Sequence, residues 1–578
     1  MRKPEQPPAD GRGASAGRGG RPADAGAAGL QPAGPETSRQ RAGEEQAAPG
    51  RSTRKGAGGA GGAGEGGAAG GGGPAGAAGE GSEGGGSAER VRHPLAPNLG
   101  KNLQVLRRRL GFGISFDISI QEIVVGGRPA AVLAVDGLVS GALVQRLMQH
   151  LISVPGNTLA DVRENAAEHL RRTVIGYYDV EVVETLDEVV DQVLAGLVCV
   201  LVDGDTHALI VDMRSYPARA VEEPDLERVT RGARDGFIET LLYNSALIRR
   251  RIRDPRLRME ALTAGRRSKT NIVLCYLDGV TPRYLPARLK KRIEEVDTDG
   301  LPMGTKSLEE YITGIRFNPL PIVRYTERPD VVAAHLLEGY VAILVDTTPQ
   351  AMILPATAWS FMQHAEEYFQ NPTVGTYLRW IRALGFFASF LLVPLWLGLV
   401  VSGPPPALSW VGPKGPAGVV PLLWQFLVLE VGIDVTRQAF VHTPTPLASS
   451  LGIIAAVLLG EFAVKVGLFT NEVVLYSALA AIGFFAIPNL EFALAVRLLR
   501  YLTIIPAGLW GIPGVLSGLF LIFLIFLFTR SFGIPYLWPL LPPNVEALVR
   551  VFLRSPIPTV RTRTLPGVED RYTKPPTG

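Results

Sequence analysis

The sequence predicts a multidomain protein with a disordered N-terminal tail, two repeated α/β soluble subdomains and a C-terminal polytopic α-helical membrane domain. Three features predict this architecture: a glycine- and alanine-rich start, a pattern that occurs twice in the soluble part, and long apolar runs that begin near Leu384. A bilayer core is about 30 Å thick, so a helix needs about 20 apolar residues to cross it. The expected boundaries are 1–90 for the tail, 91–225 and 226–370 for the subdomains, 371–555 for the membrane domain and 556–578 for a C-terminal tail.

The N-terminal tail lacks the apolar residues that a folded core would need. We therefore expect residues 1–90 to be disordered and dispensable for folding, because such a composition cannot offset the entropy of an unfolded chain. Residues Gly13 to Gly17 match the nucleophile-elbow pattern of hydrolases. That motif needs a strand before it and a helix after it, which this tail does not supply, so we do not interpret Ser15 as catalytic.

Composition argues against several classes of function. A formal net charge of +4 gives no sign of a nucleic-acid-binding surface, which is usually strongly basic. Cys199 and Cys275 each lie in an apolar run, so we expect two buried reduced thiols, and two cysteines alone cannot form a disulfide framework or a zinc site. Residues 265–270 resemble a phosphate-binding loop but lack the glycine before the lysine. We therefore predict that the protein is not an enzyme and binds no cofactor.

Two stretches of the soluble sequence share one pattern. Asp136-Gly137 follows an apolar run, as Asp278-Gly279 does later, and each pair is followed by leucine or isoleucine at helical spacing. In both copies a glycine, Gly196 or Gly339, then precedes two further apolar runs. The pattern predicts two copies of one α/β unit, each with a strand, an Asp-Gly turn, a helix and a hairpin that begins after a glycine.

A dense basic run, Arg249 to Arg253, lies between the two copies. Three interpretations of this run are open at this point. It could be a solvated helix face, a contact between subdomains or subunits, or a contact with anionic lipid headgroups.

The apolar part of the sequence predicts several helices. Their ranges are 383–402, 418–441, 447–468, 473–487 and 504–529, with an interfacial helix at 491–501. Arginines after the last run favour a cytoplasmic C-terminus by the positive-inside rule. The sequence begins without the apolar segment of a signal peptide, which favours a cytoplasmic N-terminal domain. We therefore expect an even number of crossings, and we favour four.

Charged residues within the apolar segments form the candidate site. Glu430, Asp434 and Arg437 recur at i, i+4 and i+7, on one stripe of a helix, while Glu461 and Lys465 have the i, i+4 spacing of an ion pair. Charges at membrane depth are costly and normally face a bundle interior or a water-filled cavity. We expect the stripe to line such a water-filled interior. The alternatives are a re-entrant segment or a surface helix over 418–441, and charges that only hold the bundle together.

Several unusual strings, spread between about Ser115 and Asp570, resemble the A subunits of GerA-type spore germination proteins. A further set of strings, from His442 to Val473, is similar to one sporulation branch of that family more than to its nutrient-receptor subunits. The resemblance implies a structural role for the residues that define the strings. They are Glu223, Pro224, Arg231, Gly232, Glu239, Arg250, Arg251, Glu327, Arg328, Pro329, Asp330, Gly533, Pro535 and Tyr536.

The family resemblance also implies a location and a function. It implies a multi-pass protein of the spore inner membrane that acts in germination, with its soluble domain and both termini in the cytoplasm. The implied assembly is a homo-oligomer in the lipid bilayer that conducts ions together with small membrane partner proteins. Two alternatives stay open: an A subunit of a nutrient-germinant receptor, and a non-conducting scaffold for other germination proteins.

Overall fold

The computed structural model describes residues 93–573, apart from 160–161, 163–164, 177–178, 217–226, 315–316, 414–419, 443–451 and 456. All described residues belong to one compact unit that extends from Ser87 to Gly578. The predicted tail 1–90 and the motif residues Glu223 and Pro224 lie outside the described residues.

The first subdomain contains a five-stranded antiparallel sheet with the strand order β1-β2-β4-β5-β3. Its strands are β1 (Ile118–Val125), β2 (Arg128–Val135), β3 (Val180–Val183), β4 (Val198–Val202) and β5 (Ala208–Val211). Its helices are α1 (Leu99–Leu110), α2 (Gly141–Ile152), α3 (Ala166–Thr173) and α4 (Leu186–Leu194). Strands β4 and β5 are buried along their whole length, since helices cover both faces of the sheet, with α1 and α4 on one face and α2 and α3 on the other.

The second subdomain contains another five-stranded antiparallel sheet, with the strand order β6-β7-β9-β10-β8. Its strands are β6 (Leu257–Ala264), β7 (Thr270–Leu277), β8 (Arg324–Thr326), β9 (Val341–Val345) and β10 (Ala351–Leu354). Its helices are α5 (Leu241–Arg251), α6 (Tyr284–Glu294), α7 (Thr305–Thr313), α8 (Pro329–Leu337) and the short α9 (Glu366–Phe369).

The two sheets have the same topology. Each subdomain runs helix, hairpin, two helices, edge strand, helix and a second hairpin, in that order along the chain. Gly196 and Gly339 follow α4 and α8 at equivalent positions, with φ angles of 93° and 95°. These angles are strained for residues with a Cβ, which explains why a glycine precedes the second hairpin in both copies. The prediction of two similar α/β units is confirmed, while the exact subdomain boundaries stay a prediction.

A buried ion pair joins the two subdomains. Arg249, at the end of α5, donates from Nε to Asp117 Oδ2 at 2.8 Å, and both side chains are at most 2% exposed. Arg249 also donates to the Leu257 carbonyl at 3.2 Å. Its neighbour Arg250 lies over the ring of Tyr216, at the end of the first subdomain, with 4.4 Å between guanidinium and ring centre. Two arginines of the basic run therefore make contacts between subdomains.

The next part of the chain is helical. Its elements are α10 (Pro372–Ser402), α11 (Leu422–His442), a helical segment at 457–465, α12 (Asn471–Phe485), α13 (Leu490–Trp510) and α14 (Ile512–Phe528). A small hairpin of β11 (Arg530–Ser531) and β12 (Ile534–Pro535) follows, and then α15 (Val545–Phe552). Among the described residues, α10 and α13 are the two helices long and apolar enough to cross a membrane, with mean hydropathy 2.3 and 1.5; α12 and α14 are shorter apolar helices. The number of crossings stays a prediction.

The predicted boundary between the interfacial helix at 491–501 and the last span at 504–529 is wrong, because the first helix extends to Trp510 and the second begins at Ile512. Helix α13 continues through Pro506, and the chain turns at Gly511, whose φ is 66°. Proline leaves the carbonyl of Leu502, four residues earlier, without its helical donor. Gly518 of α14 packs so closely on that carbonyl that a Cβ there would lie 2.3 Å from the oxygen. Helices α13 and α14 are therefore packed closely as an antiparallel pair at this carbonyl.

Replacing Arg249 with methionine should destabilise the protein, because it leaves the Asp117 carboxylate buried without a partner. We expect a loss of about 3–5 kcal/mol, the usual cost of removing one partner of a buried pair. The measurement is chemical or thermal unfolding of the purified chain. The matched control is Arg253→Met, which removes an exposed arginine of the same run. Equal stability of the two variants would contradict this role for Arg249.

Candidate functional site: charges buried among the helices

The centre of the helical part holds a carboxylate between two guanidinium groups. Glu430 of α11 pairs with Arg500 of α13 through a very short contact and with Arg497 Nη2 at 3.1 Å. The side chains of all three residues are at most 5% exposed. Arg500 also donates to the Ser389 carbonyl of α10 at 2.6 Å, so the cluster joins three helices.

Asp434, one turn after Glu430, extends the cluster toward the surface. Its carboxylate lies 3.1 Å from Arg497 Nε and its side chain is 37% exposed. Glu430, Asp434, Arg497 and Arg500 together have no net charge, which fits the rule that charges in an apolar interior occur in pairs. The predicted stripe is therefore divided: Glu430 faces the interior of the chain, and Asp434 lies nearer the surface.

Arg437 adds a third guanidinium to this region. It lies over the ring of Phe484 at 5.4 Å, and Arg497 lies near the same ring at 5.7 Å. Within the described part of the chain, the buried Nε and Nη1 atoms of Arg437 have no hydrogen-bond partner. With Arg437 included, the five charged groups have a net charge of +1.

Glu461 and Lys465 form the ion pair that their spacing predicts, with 2.5 Å between carboxylate oxygen and Nζ. Both side chains are more than 60% exposed, and in the described part of the chain neither is bonded to Glu430, Asp434 or Arg437. Their role in an ion pathway stays a prediction.

Glycines bring the helices around this cluster close together. A Cβ on Gly483 of α12 would lie 2.3 Å from the Gly385 carbonyl of α10, one turn before Ser389. A Cβ on Gly514 of α14 would lie 1.9 Å from the Pro506 carbonyl of α13. Small residues at helix crossings allow backbones to approach in this way, and they are typical of helices that pack in membranes.

A second carboxylate with two arginines lies where the soluble part meets α10. Glu367 of α9 is fully buried and pairs with Arg379 and Arg382 of α10. Arg382 also donates to the Met362 carbonyl at 3.1 Å, and Arg379 donates to the Val551 carbonyl of α15 at 3.3 Å. We call this group the junction cluster, because it connects the second subdomain, the first apolar helix and the C-terminal region.

The junction cluster is strongly cationic around His364, two residues before α9. Burial, together with Arg382 and Arg324, lowers the pKa of His364 to about 4. The imidazole is therefore neutral at neutral pH, and its Nδ1 accepts a hydrogen bond from the backbone N–H of Glu366 at 3.2 Å. A similar effect of burial lowers the pKa of His335 in α8 to about 3.

Several family-motif residues make close contacts within the second subdomain, and a structural role for the whole set stays a prediction. Arg328 is fully buried and donates to Asp330 and to the backbone carbonyls of Glu227 and Ala233. Pro329 is the first residue of α8, where its missing N–H has no cost. Gly232 packs against the ring of Phe369, and a Cβ on this glycine would lie 2.6 Å from the ring.

The remaining motif residues lie in several elements. Arg251 pairs with Asp235 at 2.5 Å, and Glu327 accepts from Gln350 at 3.2 Å. Tyr536 is fully buried against Phe361 and Phe526. The other placements are as follows: Arg231 and Glu239 are exposed, Gly533 has a φ of 103°, and Pro535 lies in β12.

Sequence reasoning missed Arg497, Arg500, Arg379, Arg382 and Glu367 as members of these clusters. The first two lie in the segment expected as an interfacial helix, and the next two lie just before the first predicted span at 383–402. A signal was present for Arg497 and Arg500, whose i, i+3 spacing on α13 complements Glu430 and Asp434 at i, i+4 on α11. For Glu367 the sequence offered no comparable signal, because it lies outside the apolar segments.

The fold and the site together define a class of protein, in which two repeated α/β subdomains are followed by apolar helices with paired internal charges. Comparison with known sequences identifies the family. The family model described as Bacillus/Clostridium GerA spore germination protein matches residues 104–565. The chain belongs to this family.

Individual relatives are spore proteins of Bacillus. The chain is 41% identical to stage V sporulation protein AF of Bacillus subtilis (strain 168), over 81% of this chain and 94% of that protein. This is the branch that the strings from His442 to Val473 resemble. It is 29% identical to spore germination protein KA of the same organism, over 80% of this chain and 85% of that protein. A crystal structure of the N-terminal domain of the A subunit of the Bacillus megaterium spore germinant receptor GerK3 matches 46% of this chain and 97% of that chain, at 28% identity and a TM-score of 0.36.

Replacing Glu430 with glutamine should destabilise the helical part. The change leaves two buried guanidinium groups with one partially exposed carboxylate, so we expect a loss of about 3–5 kcal/mol. The measurement is the thermal unfolding midpoint of the detergent-solubilised chain, together with its abundance in the membrane fraction. Glu461→Gln is the matched control, because an exposed ion pair contributes at most about 1 kcal/mol. If Glu430→Gln were as stable as this control, the buried cluster would not stabilise the bundle.

Proposed function

We propose that this chain is a subunit of an oligomeric ion-conducting complex in the spore inner membrane. One observation supports a membrane location most directly: Glu430, Arg497 and Arg500 are enclosed between the helices, whereas large apolar side chains of α10, α12, α13 and α14 face outward. Phe387, Ile482, Leu498 and Phe520 are each more than half exposed, whereas Glu430 is 1% exposed. Water would favour the opposite distribution, and lipid favours this one.

Contacts at the two ends of the helical part support an even number of crossings. Helix α10 begins three residues after α9 of the second subdomain. After α14, the Ser531 hydroxyl donates to the Ile322 carbonyl at 2.7 Å, which returns the chain to the same subdomain. If the helices cross the membrane, entry and exit are on one side. The basic C-terminal residues favour a cytoplasmic location for that side under the positive-inside rule.

Asp434 and Arg437 are the residues that we propose to face the ion pathway. They follow Glu430 on the same stripe of α11, at the less buried end of the cluster. A second copy of the chain against this end of the cluster would enclose them in a shared, hydrated interior. Small membrane proteins that associate with the complex are part of the same proposal.

The names of the relatives also favour a second candidate, an A subunit of a nutrient-germinant receptor. Spore germination protein KA and the spore germination protein GerLA of Bacillus cereus are both similar to this chain over about four fifths of its length. A third possibility, a non-conducting scaffold, is distinguished by measuring ion flux.

Changing Asp434 to asparagine or Arg437 to glutamine should alter ion flux through vesicles that contain the reconstituted protein. A unit charge about 8 Å from a passing ion contributes about 2 kcal/mol at an effective dielectric constant of 20, so a change of at least several-fold is expected. Abundance should fall less than in Glu430→Gln, because Asp434 and Arg437 are only partly buried. Arg253→Gln, which removes an exposed charge of the second soluble subdomain, serves as the control. Normal flux in both variants would remove these charges from the mechanism, and absence of flux in the unchanged protein would favour the scaffold.

Single cysteines at Arg561 and Val124 should both be labelled only from the cytoplasmic side. Both positions are exposed, and native Cys199 and Cys275 are fully buried and should not react. The measurement is reaction with a membrane-impermeant maleimide before and after permeabilisation of protoplasts that express the chain. Labelling of Arg561→Cys in intact protoplasts, with Val124→Cys protected, would indicate an odd number of crossings.

A further inference from the structure

Helix α15 has an exposed apolar face that the rest of the chain does not cover. Val545, Val549 and Phe552 recur at i, i+4 and i+7, and they are 75%, 46% and 44% exposed. The charged residues Glu546 and Arg550 lie beside this face and bond to each other at 2.6 Å. The opposite side of the helix packs inward through Ala547, which is 5% exposed. In a soluble protein the apolar face of a surface helix is buried and its polar face is exposed, whereas the apolar face of α15 is exposed.

The end of α15 is attached to the first turns of α10. The Trp380 Nε1–H donates to the Phe552 carbonyl at 3.2 Å, and the Arg554 N–H donates to the Thr376 hydroxyl at 3.1 Å. The ring of Phe552 also lies edge-on to Trp359, with 5.8 Å between ring centres. These contacts fix the position of α15 along the axis of α10.

That position coincides with the edge of the proposed membrane region. From Ala383 to Ser402, α10 has 20 residues without a charge, about 30 Å of helix, which matches the hydrocarbon core. Trp380 lies three residues before this stretch, about 5 Å further out. This is the headgroup level, where tryptophan is enriched in membrane proteins.

A second exposed apolar residue lies at the same boundary, against α14. Phe317 is 97% exposed, and the adjacent Asn318 donates to the Thr529 hydroxyl at 2.7 Å, one residue after α14 ends at Phe528. The C-terminal end of α10 lies against the N-terminal end of α14, since a Cβ on Gly398 would be 2.6 Å from Val515. The two helices are therefore antiparallel, and Phe317 lies on the same side of the membrane region as α15.

We propose that Val545, Val549, Phe552 and Phe317 form an apolar collar that inserts into the lipid interface of one leaflet. This inference rests on the proposed membrane location. The occupant is the boundary between headgroups and acyl chains, because the collar continues the apolar surface of α10 and α14 at that depth. Amphipathic helices bind such a boundary by burying one apolar face, about 5–10 Å deep. The collar holds the second subdomain against the bilayer at two separate points.

The test uses a fluorophore on single cysteines of the full chain, reconstituted into vesicles of phosphatidylcholine and phosphatidylglycerol. Val549→Cys and Phe317→Cys place an environment-sensitive nitrobenzoxadiazole group on the collar. Glu546→Cys is the matched control, because it is on the same helix but on its polar side, with a side chain 57% exposed. Native Cys199 and Cys275 are fully buried, so the label is confined to the chosen site.

Lipids with a spin label near the headgroup end of the acyl chain should quench both collar positions about threefold more strongly than position 546, since only the collar lies within the lipid. Equal quenching at all three positions would overturn the collar. Blue-shifted emission at 549 and 317 without quenching by lipid would also overturn it, because the face would then be covered by protein. Resistance of the same samples to alkaline extraction tests the membrane location separately: extracted protein would refute the proposed location, whereas retained protein without quenching refutes the collar alone.

Discussion

Pairing of each buried carboxylate with two arginines is the constraint on which the helical part depends. Glu430 lies between Arg497 and Arg500 at the centre of the bundle, and Glu367 lies between Arg379 and Arg382 at its base. An unpaired charge in either place would cost several kcal/mol. The first cluster fixes the position of α11 against α13 and α10, and the second fixes the direction in which α10 leaves the soluble subdomain.

Periodicity predicted much of the soluble fold and less of the helical part. The repeated Asp-Gly turn and the glycine before the second hairpin were sufficient to predict two similar units, because a turn that needs positive φ selects glycine in each copy. No equivalent signal separated α13 from α14. Pro506 and Gly511 both interrupt a helix by local rules, yet the helix continues through Pro506 and ends before Gly511. The packing of Gly518 on the freed carbonyl is a contact between helices, which spacing along one helix does not predict.

Only part of the candidate site could be predicted, because contacts between helices determine the rest. Spacing along one helix placed Glu430, Asp434 and Arg437 on a stripe and paired Glu461 with Lys465, but it could not identify partners on other helices. The basic run near Arg249 shows the same limit. The four arginines between positions 249 and 253 have different environments, and the buried one, Arg249, is the one that pairs with the buried acid Asp117 of the other subdomain.

The polar clusters and the exposed apolar surfaces follow from one distribution of charge. Ion pairs that would be costly in lipid are enclosed between helices, which leaves apolar side chains to face outward along α10, α12, α13 and α14. The junction cluster ends this region on one side, since Arg379 and Arg382 are the last charges of α10 before 20 residues without any. Arg379 also donates to the Val551 carbonyl, so the ion pair that closes the apolar region is the one that holds α15 at its edge. A change in the tilt of α10 would therefore reach α15 and the second subdomain together, through Glu367 and its two arginines.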